Sequence, residues 1–236
     1  MKFSFYLFGS LFLMIGLSAC FSEPEYGEAP IITAIEDYYF ADVPAGQDTL
    51  VIKIAFTDGD GDLGLDARDS DKFGPYKLPL DRENGELIKY DPSRTDLPPF
   101  SCSKYAFPKG LNPLVIDGET IVDTVRADRN PLFMNFEVLV FKRQPGGEYV
   151  EFNFLDSLCV DPLGGRFPFF KEPGDINDGA PRVGSISHFI RSHGLKSLFR
   201  NDSLKLGVLI RDRAGNESNI KMTEAFTLNE ITRLPE

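Results

Sequence analysis

The sequence predicts an all-β fold: a β-sandwich of about seven strands interrupted by one long, partly irregular insertion. Apolar side chains recur at every second position in several runs of strand length, each bounded by turn residues. No stretch of similar length has a helical period, apart from short candidates at residues 195–200 and 229–234. The runs number about seven, which suits two packed antiparallel sheets.

The chain of 236 residues opens with "MKFSFYLFGSLFLMIGLSA": one Lys, an almost unbroken apolar run, then small residues. This is the pattern of a secretory signal peptide over residues 1–19, which takes no part in the fold. "LSAC" then resembles the lipobox of bacterial lipoproteins, implying lipidation of Cys20 as the new amino terminus. The plainer alternative is a secretory leader or short membrane anchor with a chance cysteine. Residues 20–30, "CFSEPEYGEAP", hold Pro and Glu without periodicity and read as a flexible tether. Through Ser22, Glu23, Pro24 and Glu25 the tether is similar to the surface-export signal of Bacteroidota lipoproteins.

Residues 31–236 read as a single domain. After "IITAIE", the run "DTLVIKIAF" puts Leu50, Ile52, Ile54 and Phe56 on one face. "NFEVLVFKR" does the same with Phe136, Val138 and Val140. A turn with Pro145, Gly146 and Gly147 at its tip leads to "EYVEFNF", a returning strand with Val150, Phe152 and Phe154 on one face. "VGSISHFI", "DSLKLGVLIR", with Leu204, Leu206, Val208 and Ile210 aligned, and "NIKMTEAFTL" complete the set. The chain has 21 Phe and no Trp, so the Cys, Trp and Cys signature of antibody domains is absent. An immunoglobulin-like sandwich is therefore expected from architecture alone.

Residues 67–131 break the rhythm. They are dense in Pro, Tyr and charge, and "GETIVDTV" is their one strand-like piece. Loops of this length in compact domains are often where function resides. Cys102 and Cys159, the pair left once Cys20 is set aside, are expected to form a disulfide that pins the insertion to the sandwich. Two separate buried thiols are the alternative.

Charge narrows the function. The chain carries 36 acidic against 25 basic residues, a net charge of −11. A basic nucleic-acid footprint is absent, while acidity favours cation binding. The acids concentrate in "TDGDGDLGLD", where Asp58, Asp60 and Asp62 alternate with Gly59 and Gly61 directly after a core strand. Glycine permits tight wrapping that a β-carbon would resist. Calcium takes six to eight oxygens, so a structural calcium ion is expected, held by Asp58, Asp60, Asp62, Gly64 and Asp66. The alternative is a solvated acidic turn. The loop resembles EF-hands and thrombospondin-type repeats in its acids at positions one, three, five and nine. It departs from them at position six, where Leu63 replaces the turn glycine, and at position twelve, where Asp69 replaces the bidentate Glu. The helical flanks of an EF-hand are therefore not implied.

A second loop, "LIRDRAGNESN", also follows a core strand and offers Asp212, Asn216, Glu217 and Asn219. If the two strands run the same way, both loops emerge at one end and Asp212 can join the same cation. Otherwise the loop is a β-turn whose Asp and Asn bond their own backbone.

The pairing of "FTDGDGDLG" with "IRDRAGNESN", and between them "ADRNPLFMNFEVLVFKRQPGGEYVEF" and "GGRFPFFKEPGD", resembles a group of Bacteroidota outer-membrane lipoproteins with an immunoglobulin-like sandwich. The resemblance implies a lipid-anchored protein on the periplasmic face or the cell surface, and it implies no activity. The residues themselves offer no nucleophile elbow, phosphate-binding glycine loop or zinc-spaced set. His188 and His193 are assigned surface or packing roles, and Phe167, Phe169 and Phe170 the core. The expected function is thus not enzymatic: an accessory or interaction subunit of an outer-membrane protein complex, its contact loops stiffened by calcium. A glycan- or nutrient-binding module is the first alternative and would need an exposed aromatic platform beside the metal. A metal-dependent hydrolase is the second and would need an open coordination position.

Overall fold

The computed structural model describes residues 26–42, 48–65, 73–108, 114–116, 118–168, 180–191 and 194–233. The leader, Cys20, most of the tether, Asp66, Phe169, Phe170 and His193 lie outside these ranges. Strands β1 (Ile31–Ala41) and β2 (Thr49–Asp58) come first. Six short strands follow in the insertion: β3 (Tyr76–Lys77), β4 (Tyr105–Ala106), β5 (Leu114–Ile116), β6 (Glu119–Ile121), β7 (Val125–Arg126) and β8 (Asp128–Arg129). Then come β9 (Phe136–Arg143), β10 (Tyr149–Glu151), helix α1 (Phe154–Leu158), β11 (Leu163–Gly165) and β12 (Arg182–Arg191). Helix α2 (Leu195–Phe199), β13 (Leu204–Ile210), β14 (Lys221–Met222) and β15 (Thr232–Arg233) are the last of the described elements. The fold is all-β, and among the described residues no helix is long and apolar enough to cross a membrane.

Two main sheets carry the domain. In the first the order is β12-β2-β1-β15, antiparallel except for the parallel β1 and β15 pair. In the second it is β10-β9-β13-β14, antiparallel throughout, with β11 pairing β9 beyond the end of β10. Leu50, Ile52, Ile54 and Phe56 of β2 share one buried cluster with Phe136, Val138 and Val140 of β9 and Leu204, Leu206, Val208 and Ile210 of β13. Each such side chain contributes about 1.5–3 kcal/mol on leaving water. These are the faces that the period-two alternation predicts. β1 escapes strict alternation because two register shifts interrupt its pairing with β2, between Ile32 and Ala34 and between Ile35 and Asp37. Bulges of this kind re-aim the following side chains, so Ile35 and Tyr38 pack against the core between buried Ile32 and Phe40 in place of a strict every-second-residue pattern.

The expectation differs from the structure at three places. Val150 is exposed, not aligned inward with Phe152 and Phe154. The strand ends at Glu151 because the Asn153 side chain accepts a hydrogen bond from the Asp156 N–H and caps α1, which delivers Phe154 to the core from a helix. Of the helical candidate at residues 229–234, residues 229–231 instead form a turn that leads into β15, and the Ile231 carbonyl of that turn accepts from the Phe40 N–H of β1. The insertion is richer in pairing than its one strand-like piece suggests. β3 pairs β8, β4 pairs β7 and β5 pairs β6, around a small core of Ala106, Val125 and Ala127. The candidate at residues 195–200 does form helix α2.

His188 lies on the inward side of β12 and stacks on Phe136, with ring centroids 4.6 Å apart. Burial lowers its pKa, while a hydrogen bond with the Gly164 backbone opposes the shift. Gly165 makes room for the ring: a β-carbon there would stand 2.5 Å from His188 Nε2. Gly165→Ala should therefore cost about 1–3 kcal/mol through overpacking. Its denaturant midpoint tests this, and an unchanged midpoint would show that the ring has space to shift.

Candidate metal centre

β2 ends on Asp58, which is fully buried. The chain then turns sharply, and its backbone is pressed between two other segments. A β-carbon on Gly59 would stand 2.3 Å from the Gly27 carbonyl oxygen, and one on Gly61, whose φ is +67°, would stand 2.1 Å from that of Ala180. Only glycine fits at either position. Arg182 Nε donates to the Gly61 carbonyl at 3.2 Å, tying the loop to the start of β12. Leu63, at the position that excludes an EF-hand, is fully buried in the main core and bridges to Asp212. Gly64 follows with a φ of +111°, a turn conformation, and the Leu65 N–H donates to the Phe167 carbonyl at 3.1 Å. Buried Phe167 is itself held by Asn135, whose side chain accepts from its N–H and donates to its carbonyl.

This folding brings Asp58, Asp60 and Asp62 together, with one carboxylate oxygen of each within 4.8 Å of the others. Backbone donors satisfy part of the group, the Asp62 N–H donating to Asp60 Oδ1 at 3.4 Å. Asp58 Oδ2 accepts from the Leu63 N–H at 3.1 Å and Asp62 Oδ2 from the Ala214 N–H at 3.1 Å. Asp58 Oδ1 and Asp62 Oδ1 are buried and have no hydrogen-bond partner. The electrostatics match: burial, and then the neighbouring Asp60, push the Asp58 carboxyl up to about 7. Burial, and then Asp212, push that of Asp62 up to about 6. Without a cation, the cluster resists full ionisation at neutral pH.

The second loop meets the first, as expected if their strands run the same way. Its residues, however, are spent on the protein. Asp212 Oδ1 accepts from the N–H groups of Gly215 and Asn216, both at 2.7 Å, and its Oδ2 accepts from Asn216 Nδ2 at 2.8 Å. Glu217 pairs with Arg211, and Asn219 makes two hydrogen bonds to the Ile32 backbone. Asp212 thus bonds its own turn and adds negative charge beside the three carboxylates rather than a free oxygen among them. Asp66 lies outside the described residues. Residues 26–27 and Ala180, which wall the loop, could not be identified from sequence; the paired glycines were the signal that some backbone had to approach.

Cys102 and Cys159 are joined in a disulfide, with their Cα atoms 5.3 Å apart. Cys159 is the left-handed C-cap of α1, so the bond ties the insertion to the segment between β10 and β11. No protein-family model, curated protein or solved structure matches the chain.

Proposed function

We propose that this is a lipid-anchored outer-membrane protein, attached through Cys20, whose domain serves as an interaction or accessory subunit of an outer-membrane protein complex. Its loop at residues 58–64 holds a structural calcium ion. The observation that carries the cation reading is the pair of buried, unpartnered oxygens, Asp58 Oδ1 and Asp62 Oδ1, facing a third carboxylate. Buried acceptors without a donor are rare and costly, and a hard cation supplies what they lack. Because both oxygens are closed off from solvent, they support a stiffening ion over a hydrolytic one, which needs an exchangeable position. The strand pairings β12-β2-β1 and β10-β9-β13-β14 support the immunoglobulin-like reading, since they follow the E-B-A and C′-C-F-G orders. In that reading the rigid sheets present the loops at one end to a protein partner.

Thermal unfolding during a calcium titration tests the ion. A rise in Tm with an affinity in the range of about 0.1–1 mM is expected, together with its loss in Asp60→Ala. No shift in the wild type would remove calcium from the reading. Pull-down from gently solubilised outer membranes, with and without chelator, tests the role. Recovery of a barrel or transporter supports it, and retention of soluble glycan alone would favour a nutrient-binding module.

A further inference from the structure

The chain enters the domain across the cation loop. Residues 26–30 lead into β1, and Gly27 accepts a hydrogen bond from the Gly59 N–H at 3.1 Å. The β-carbon that Gly59 lacks would also stand 2.5 Å from the Tyr26 carbonyl oxygen. Backbone therefore lies directly on backbone, and Pro30, at the end of this strap, is buried. Gly59 is flanked by Asp58 and Asp60, two of the three clustered carboxylates. If their repulsion spreads the loop, the flanking peptide planes rotate, and one of them carries the N–H that holds Gly27. That a cation belongs here is supported separately by Asp58 Oδ1, which is unpartnered on a side chain with no exposure.

We propose that the cation is the latch for this strap: site occupancy and the docking of residues 26–30 on Gly59 form one coupled equilibrium. The inference rests on the cation reading above and adds a regulation to it, because the strap is where the tether joins the domain. An occupied site fixes the path by which the chain leaves toward its amino terminus; an empty one frees it. Coupling of this kind is reciprocal, so whatever loosens the strap must weaken the cation by the same factor.

Hydrogen exchange on the full mature chain, in calcium or in chelator, reads the latch directly. Calcium is expected to slow exchange at the amides of residues 27–29 and of Gly59 by about fivefold or more, with the β13 amides as internal reference. Calcium binding, seen as a Tm shift, without any change in the strap would overturn the latch while leaving the ion in place. Absence of any calcium binding would overturn the site and the latch together. Gly59→Ala gives the reciprocal measurement, since it keeps every carboxylate but forces the strap away. Its calcium Kd should rise by about the factor seen in exchange, and a Kd equal to that of the wild type would count against the coupling.

Discussion

Calcium-free protein should be less stable at about pH 8 than at about pH 5, and Asp58→Asn should remove most of that difference. The sign follows from the direction of the shifts. Folding raises the Asp58 carboxyl to about 7 and the Asp62 carboxyl to about 6, both above their ordinary value of 3.8. The native state then binds these protons more tightly than the unfolded chain does. Unfolding releases them, so stability falls as pH rises from about 4 through 6 and 7, and the loss is complete above that window. For fully buried Asp58 the two limits differ on the order of 4 kcal/mol. Asp62 is part-exposed and coupled to it, and adds less. His188 works against this trend, because burial lowers its pKa and its contribution is lost as pH falls below the ordinary histidine value toward the lowered one. A difference between wild type and Asp58→Asn cancels the histidine, which both proteins retain. At about pH 8 without calcium the variant should be the more stable of the two, and calcium should reverse the order by stabilising only the wild type. Denaturant unfolding at several pH values reads all of this. A wild type no less stable than the variant, in chelator at about pH 8, would mean that the cluster is not electrostatically strained.

The same loop marks how far the sequence is legible. Alternation in β2, β9 and β13 identifies their inward faces, because both sheets bury one side against the other and any slip would turn Ile52 or Val138 outward. The chemistry of Asp58, Asp60 and Asp62 is legible for a similar local reason, since a turn after a core strand holds them within a few residues. Long-range pairing is not encoded in that way. Nothing near Thr232 announces a parallel partner in β1 that lies almost the whole domain away, and nothing near Gly61 names Ala180. Local competition misleads at Asn153, whose side chain caps a helix where apolar alternation alone continues a strand. Asp212 is the instructive middle case. Its residue type suits a ligand, but a following Gly215 and Asn216 turn its carboxylate back on its own backbone, and that choice depends on the turn actually formed.

Loss of the disulfide should be the largest single destabilisation outside the main core. Cys102 and Cys159 are 57 residues apart, and in the chain-entropy account a closed loop of that size contributes about 4 kcal/mol by restricting the unfolded chain. In a domain of this length that corresponds to a fall in Tm of roughly 10 °C for Cys102→Ser with Cys159→Ser. The loss should be uneven. The insertion's own core is small, built on Ala106, Val125 and Ala127, to which the short strands add the buried ring of Tyr105. Near Cys102, the rings of Tyr90, Phe100 and Tyr105 pack together, yet Phe100 remains 45 % exposed, so this cluster cannot replace the covalent tie. The other end of the bond is firmer: Cys159 donates to the Leu155 carbonyl, and α1 buries Phe154 and Leu155. Exchange should therefore quicken first in β4 and β7, with β2, β12 and β13 keeping their protection until global unfolding. If the double variant instead loses protection evenly in all five strands, the insertion is an integral part of the folding unit, and the disulfide stabilises the two sheets as much as the segment it ties down.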